Sequence, residues 1–154
     1  MPSENEWYKA AYYDGLSETY FHYPAGTDTQ TVCAAPTGIA NHANCGMAAG
    51  GVTDVGAYTG SPSPYGTFDQ GGNVVEWNEQ IVSAEVLPGS LLRGARGGRW
   101  DGFFGALAAS GIGSGFPTTE SVAVGFRVAS LVPEPGTALL LGGGLLGLAA
   151  RRRL

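Results

Sequence analysis

Residues 3–12 carry the clearest helical pattern in the chain. Trp7, Ala10 and Ala11 recur at i, i+3 and i+4 and make a small apolar face. Ser3, with Glu6 three residues on, is a capping box in which each side chain satisfies a free backbone N–H at the helix start. Asp14-Gly15 predicts the stop. From 15 to 64 the periodicity fades into Gly, Ala, Thr and Ser, which predicts long loops with short strand pieces. Loops this long in a compact domain usually carry function or bind ions. Ser61-Pro62-Ser63-Pro64 reads as a turn or extended connector. Apolar and aromatic residues return over 65–82, around a paired-glycine turn at Gly71-Gly72. Residues 91–100 and 122–129 read as short strands. In the last of these, Arg127 sits between Phe126 and Val128 and so points to the face opposite theirs. That placement predicts a structural arginine buried against a carboxylate.

The end of the chain is a different kind of segment. From Gly136 to Ala150 the run is apolar on every side, with Thr137 as its one polar side chain, and Arg151, Arg152 and Arg153 close it. An apolar run stopped by basic residues is a membrane-anchor pattern with the positive end in the cytoplasm. A buried helix in water would show an apolar stripe instead, and Gly142 to Gly144 would weaken it. Residues 1–131 hold 12 acidic and 5 basic residues, against 1 and 3 in residues 132–154, so the two segments differ in charge sign as well.

Composition narrows the class. Glycine is 26 of 154 residues and charged residues are 14%, which argues against a helical bundle and against a charged disordered chain. The net charge of −5 argues against a nucleic-acid partner, which needs a basic surface. Cys33 and Cys45 lack zinc-site spacing; they are either a disulfide or two free thiols, according to compartment. His22 and His42 sit in no metal or protease motif, and no Gly-x-Ser-x-Gly elbow is present.

Two resemblances sharpen this. Val132-Pro133-Glu134-Pro135, the apolar run 136–150 and the arginines 151–153 together resemble a PEP-CTERM sorting signal. The resemblance implies a Gram-negative host, export, anchoring in the inner membrane through a C-terminal transmembrane helix, processing by an exosortase, and release to the cell surface. The polar start, MPSENEWYKAAYYDG, has no apolar leader, which predicts either an upstream extension or a gene fragment.

Residues 1–131 are similar to the sulfatase-modifying factor family, whose best-known member is the formylglycine-generating enzyme. Glu4-Asn5-Glu6-Trp7 with Ala10-Ala11, Gly72-Asn73-Val74-Val75-Glu76-Trp77, Arg96-Gly97-Gly98-Arg99-Trp100 and Gly125-Phe126-Arg127 carry the likeness in the family's order. It implies an irregular α+β fold related to C-type lectins, here with the family's N-terminal elements missing. The family's oxidase chemistry uses two copper-binding cysteines, and their positions are Gly102 and Leu107 in this chain. Neither offers the soft sulfur donor that Cu(I) selects, so the expectation is no copper and no formylglycine-generating activity. The same resemblance implies a calcium site made by Asp69, the carbonyls of Gly72 and Val74, and Glu76; hard oxygen ligands of this kind suit the ion. The alternative is a plain turn with Glu76 paired to Arg96 or Arg127. At Asn44, a second family calcium position, the loop match is too loose to assign. Trp7, Trp77 and Trp100 are either stacking surfaces or core.

Three functions are compatible with this reading. One is a non-catalytic exported module that binds a polysaccharide or surface protein. Another is an enzyme with altered chemistry on the same scaffold, which would need a convergent polar cluster that the sequence does not display. The last is a remnant without function. The small, inert Gly102, Gly105, Ala106 and Ala108 favour the first.

Overall fold

A computed structural model describes residues 1–84 and 91–130. The sorting residues Val132 to Pro135 and Arg151 to Arg153, and the apolar run 136–150, lie outside the described residues. Among the described residues no helix is long and apolar enough to cross a membrane.

The chain opens with α1, Glu4–Tyr12, and the capping box forms as expected. The Ser3 amide and hydroxyl both donate to Glu6 Oε2, at 2.7 and 2.8 Å, and the Glu6 amide donates back to Ser3 Oγ. The helix ends two residues before the expected Asp14-Gly15 stop. Tyr13 leaves helical geometry to start β1, Tyr13–Asp14, which pairs antiparallel with β2, Thr19–Tyr20. Asp14 works inside that turn, accepting from the amides of Leu16 and Ser17. A tertiary pairing thus ends the helix before the local stop signal is reached.

The loop region contains one further pair, β3 (Val32–Cys33) parallel to β4 (His42–Ala43). Cys33 and Cys45 close a disulfide across it, which settles the choice the sequence left open. The main sheet has four strands: β5 (Val75–Ala84), β6 (Leu91–Arg96), β7 (Gly113–Gly115) and β8 (Val124–Phe126). Their order is β7-β6-β5-β8, antiparallel except for the parallel pair β5–β8. A 3-10 turn, Phe104–Leu107, lies between β6 and β7. This is a mixed fold with little helix, in line with the glycine content.

Two small cores hold it together. Trp7, Ala11 and Tyr12 pack against Tyr8 and Ala109, and Ala43, Cys45 and Leu107 pack against Tyr23 and Ala106. The Tyr12 hydroxyl joins them by donating to the Leu107 carbonyl at 3.0 Å. Leu107 is fully buried, and glycines make room for it. A Cβ at Gly98 would come within 2.8 Å of Leu107 Cδ1.

The disulfide encloses a loop of 12 residues' separation next to this second core. Loop closure of that size is worth roughly 3 kcal/mol. Reduction, or Cys33→Ser with Cys45→Ser, should lower stability by about that amount; urea melts with and without reductant measure it. An unchanged midpoint would show that the bridge constrains nothing.

Candidate functional site

The Gly71-Gly72 turn delivers the Gly72–Trp77 segment to β5, and its geometry is specific. Gly72 has φ +81°, and a Cβ there would sit 2.3 Å from the Asn44 carbonyl oxygen. Only glycine fits this close approach. The Gly72 amide donates to Gly97 O at 2.7 Å and the Asn73 amide to Asn44 O at 2.8 Å. Asn73 Oδ1 then accepts from the Thr53 amide at 2.8 Å and from Asn44 Nδ2 at 3.1 Å. One turn therefore gathers the 44–53 loop and the 97–100 loop onto the start of the sheet.

Directly after it stands Glu76, which is 5% exposed. Its Oε2 accepts from Trp7 Nε1 at 2.7 Å and from Arg127 Nε at 2.6 Å. Arg127 also donates through Nη2 to Phe68 O at 2.7 Å. Burial raises the Glu76 pKa, against the lowering effect of Arg127 and of the Trp7 hydrogen bond, and the nearby Asp69 charge adds to the rise. Of the two arginines the sequence offered to Glu76, the structure selects Arg127. Phe126 and Val128 beside it are exposed, so this strand turns its arginine inward and its apolar residues outward.

Arg96, the register partner of Glu76 across β5–β6, turns instead to α1. It meets Glu4 at 2.5 Å and donates through Nη1 to the carbonyls of Ala109 and Gly111, each at 2.8 Å. Glu4 also accepts from Asn78 Nδ2. The sequence reading missed this Glu4–Arg96 pair; the acidic first turn of α1 is the signal that points to it.

The four positions expected to hold calcium lie on the one stretch from the turn into β5. Asp69, at φ 55°, accepts from the Gly56 amide at 2.6 Å, and Glu76 is engaged as above. Among the described residues every contact of Glu76 runs through Oε2. Two carboxylates and two backbone carbonyls fit a hard cation in kind, with Oε1 as the oxygen Glu76 has to offer. Among the described residues no three His, Cys, Asp or Glu side chains cluster around one point, and this set has only two such residues.

Gly102 opens onto a groove of about 510 Å³. Gly102 lines it together with Arg99, Phe103, Ala106, Ile112 and Gly113. Phe103 and Ile112 are exposed, at 69% and 61%. Arg99 pairs with Asp101 at 2.6 Å near the rim. Leu107 turns away from the groove into the core beside Cys45. The loop that carries the disulfide reaches the groove floor, where the Gly46 amide donates to Gly102 O at 2.6 Å.

The remaining sequence candidates disperse. His42 Nδ1 pairs with Thr37 Oγ1 at 3.1 Å, and the His22 amide donates to Asp28, each within its own loop. Trp7 is core rather than a stacking surface, and Trp77 packs on Gly115. Glu79 is exposed.

Comparison with known proteins agrees with this anatomy. The sulfatase-modifying factor enzyme 1-like domain matches residues 1–132, and the PEP-CTERM protein-sorting motif matches residues 131–153. The crystal structure of CarF shares the fold, with a TM-score of 0.54 at 22% identity over 82% of this chain. The chain spans 45% of the length of that protein. No curated protein matches it.

The buried trio yields a pH prediction. A carboxyl whose folded pKa is raised holds its proton better folded than unfolded, so its contribution to stability falls as pH rises between the two pKa values. Arg127→Ala removes the compensating cation and raises the Glu76 pKa further. The variant should lose about 3–5 kcal/mol at neutral pH, and much less in acid, where Glu76 is protonated. Denaturant melts across the acid-to-neutral range test it; a pH-independent loss would refute the pairing.

Proposed function

Because the chain belongs to the sulfatase-modifying factor family and carries a PEP-CTERM protein-sorting motif, we propose that it is a non-catalytic exported surface module that holds a polysaccharide or another surface protein in its groove. The motif implies export with membrane anchoring, sorting by an exosortase, and arrival at the surface. Fold alone carries no activity across, so the site has to supply the argument. The observation that carries the reading is the fate of the two positions assigned to the copper cysteines. Gly102 offers only backbone to the groove, and Leu107 is spent on the core. What lines the groove is mostly small, apolar or aromatic surface, with Ser110, the ion-paired Arg96 and, at its rim, Arg99. That surface suits contact with a partner and offers no soft ligand; its one hydroxyl, Ser110, has no histidine or carboxylate beside it in the lining to activate it.

The test is binding of the full chain to two separate fractions of its host's surface material, the polysaccharide and the proteins. Phe103→Ala with Ile112→Asp should weaken capture about tenfold or more, as loss of a central apolar anchor does, with no change in melting temperature. Equal capture by wild type and variant would remove the groove from the function.

We also read Asp69, Gly72, Val74 and Glu76 as a calcium site. The ion would supply positive charge that ties the turn to β5, with Asp69 as its freest carboxylate. Free calcium at one hundred times Kd should then stabilise the protein by about 2.7 kcal/mol relative to chelator, and Asp69→Ala should abolish the shift. A melting temperature indifferent to calcium would mean that Arg127 and Trp7 serve Glu76 without an ion.

A further inference from the structure

Six aromatic side chains stand in one unbroken row. Trp7 meets Tyr12 edge to face with ring centroids 6.0 Å apart, Tyr12 meets Tyr8 at 4.9 Å, and Tyr8 meets Tyr20 at 5.4 Å. Tyr20 meets Tyr13 at 4.9 Å, and Tyr13 stacks on Tyr65 at 6.5 Å. The row runs from core to surface. Trp7 and Tyr12 are buried, whereas Tyr20 and Tyr65 are 47% and 51% exposed. Tyr13 and Tyr20 are also direct register partners across β1 and β2. Beyond Trp7's bond to Glu76, neither the groove nor the Gly71-Gly72 turn uses this row.

Phenol and indole rings surrender a single electron more readily than other side chains, once thiols are set aside. Here both cysteines are already joined, so no thiol competes. Met47 is exposed, but thioethers accept an oxygen atom to form sulfoxide, a different chemistry. A tyrosine must also release its phenolic proton. Tyr12 is poorly placed for that, because its hydroxyl donates to the Leu107 carbonyl and burial pushes its phenol well above the usual range. An oxidation anywhere along the row therefore comes to rest on the phenols that face water.

We propose that the cross-strand pair Tyr13–Tyr20 is an oxidative modification site, where a peroxide acting through a haem peroxidase joins the two rings as an intrachain dityrosine. Each phenol gives one electron to the oxidant and one proton to water, leaving two phenoxyl radicals side by side. Their unpaired electrons form one carbon–carbon bond between the ring positions ortho to oxygen. Each ring then returns its ortho hydrogen to its oxygen, restoring both hydroxyls. The peroxide O–O bond takes up the two electrons and two protons and leaves as two waters. The product staples the hairpin next to α1 and is independent of what the groove binds.

The experiment treats dilute full-length protein in detergent with hydrogen peroxide and a haem peroxidase. The monomer is then digested with a protease that cuts after acidic residues. Cleavage at Asp14 and Glu18 separates Tyr13 from Tyr20, so the cross-link appears as two peptides joined with the loss of two hydrogens. The joined species is expected in native monomer. It should be lost in Tyr13→Phe and in Tyr20→Phe, retained in Tyr65→Phe, and much reduced when urea unfolds the chain first. Cross-links found only between chains, or joined peptides that survive Tyr13→Phe or Tyr20→Phe, would overturn the proposal. So would equal yields from native and unfolded protein.

Discussion

A single buried carboxylate organises the described domain. Glu76 takes the indole N–H of α1 and the guanidinium at the end of β8 on one oxygen, while its own backbone pairs with β6 and β8. A buried charge is tolerated only when it is paired and hydrogen-bonded. Helix, central strand and last strand must therefore arrive together for any of them to be stable. Glu4 and Arg96 repeat the arrangement a few residues away, binding the helix start to β6 and to the backbone before β7. Between them the two pairs compensate for apolar cores that are small, each built on three buried side chains.

This dependence explains which parts of the fold can be read from sequence. The capped helix is legible because Ser3 and Glu6 act locally. Arg127 is legible because alternation along a strand forces it away from Phe126 and Val128. The choice between Arg96 and Arg127 as partner of Glu76 is not legible, because it turns on α1 placing Glu4 over β6. The early end of α1 at Tyr12 escapes for the same reason: Tyr20, remote in sequence, recruits Tyr13 into a hairpin. The disulfide lies between these cases, since its spacing permits a bridge without demanding one.

The groove was half legible. Gly102 and Leu107 stand out only against the family pattern, and the sequence cannot say that one faces the groove while the other faces the core. Phe103 and Ile112 carry no pattern that marks them as exposed groove residues. The tyrosine row is invisible to periodicity, because Tyr8, Tyr12, Tyr13, Tyr20 and Tyr65 come from a helix, two strands and a loop. The turn at Gly72 is the opposite case. A residue without a side chain, pressed against the Asn44 carbonyl, is what two consecutive glycines at a turn would suggest.

The bridge between Cys33 and Cys45 sets an order of assembly. Cys45 is buried against Leu107, and the next residue, Gly46, holds the groove floor through Gly102. Disulfides persist outside the reducing cytosol. For a chain marked for export, the loop beneath the groove is locked only after translocation. The nascent protein crosses the membrane with this loop unlocked, and chemistry on the far side completes it.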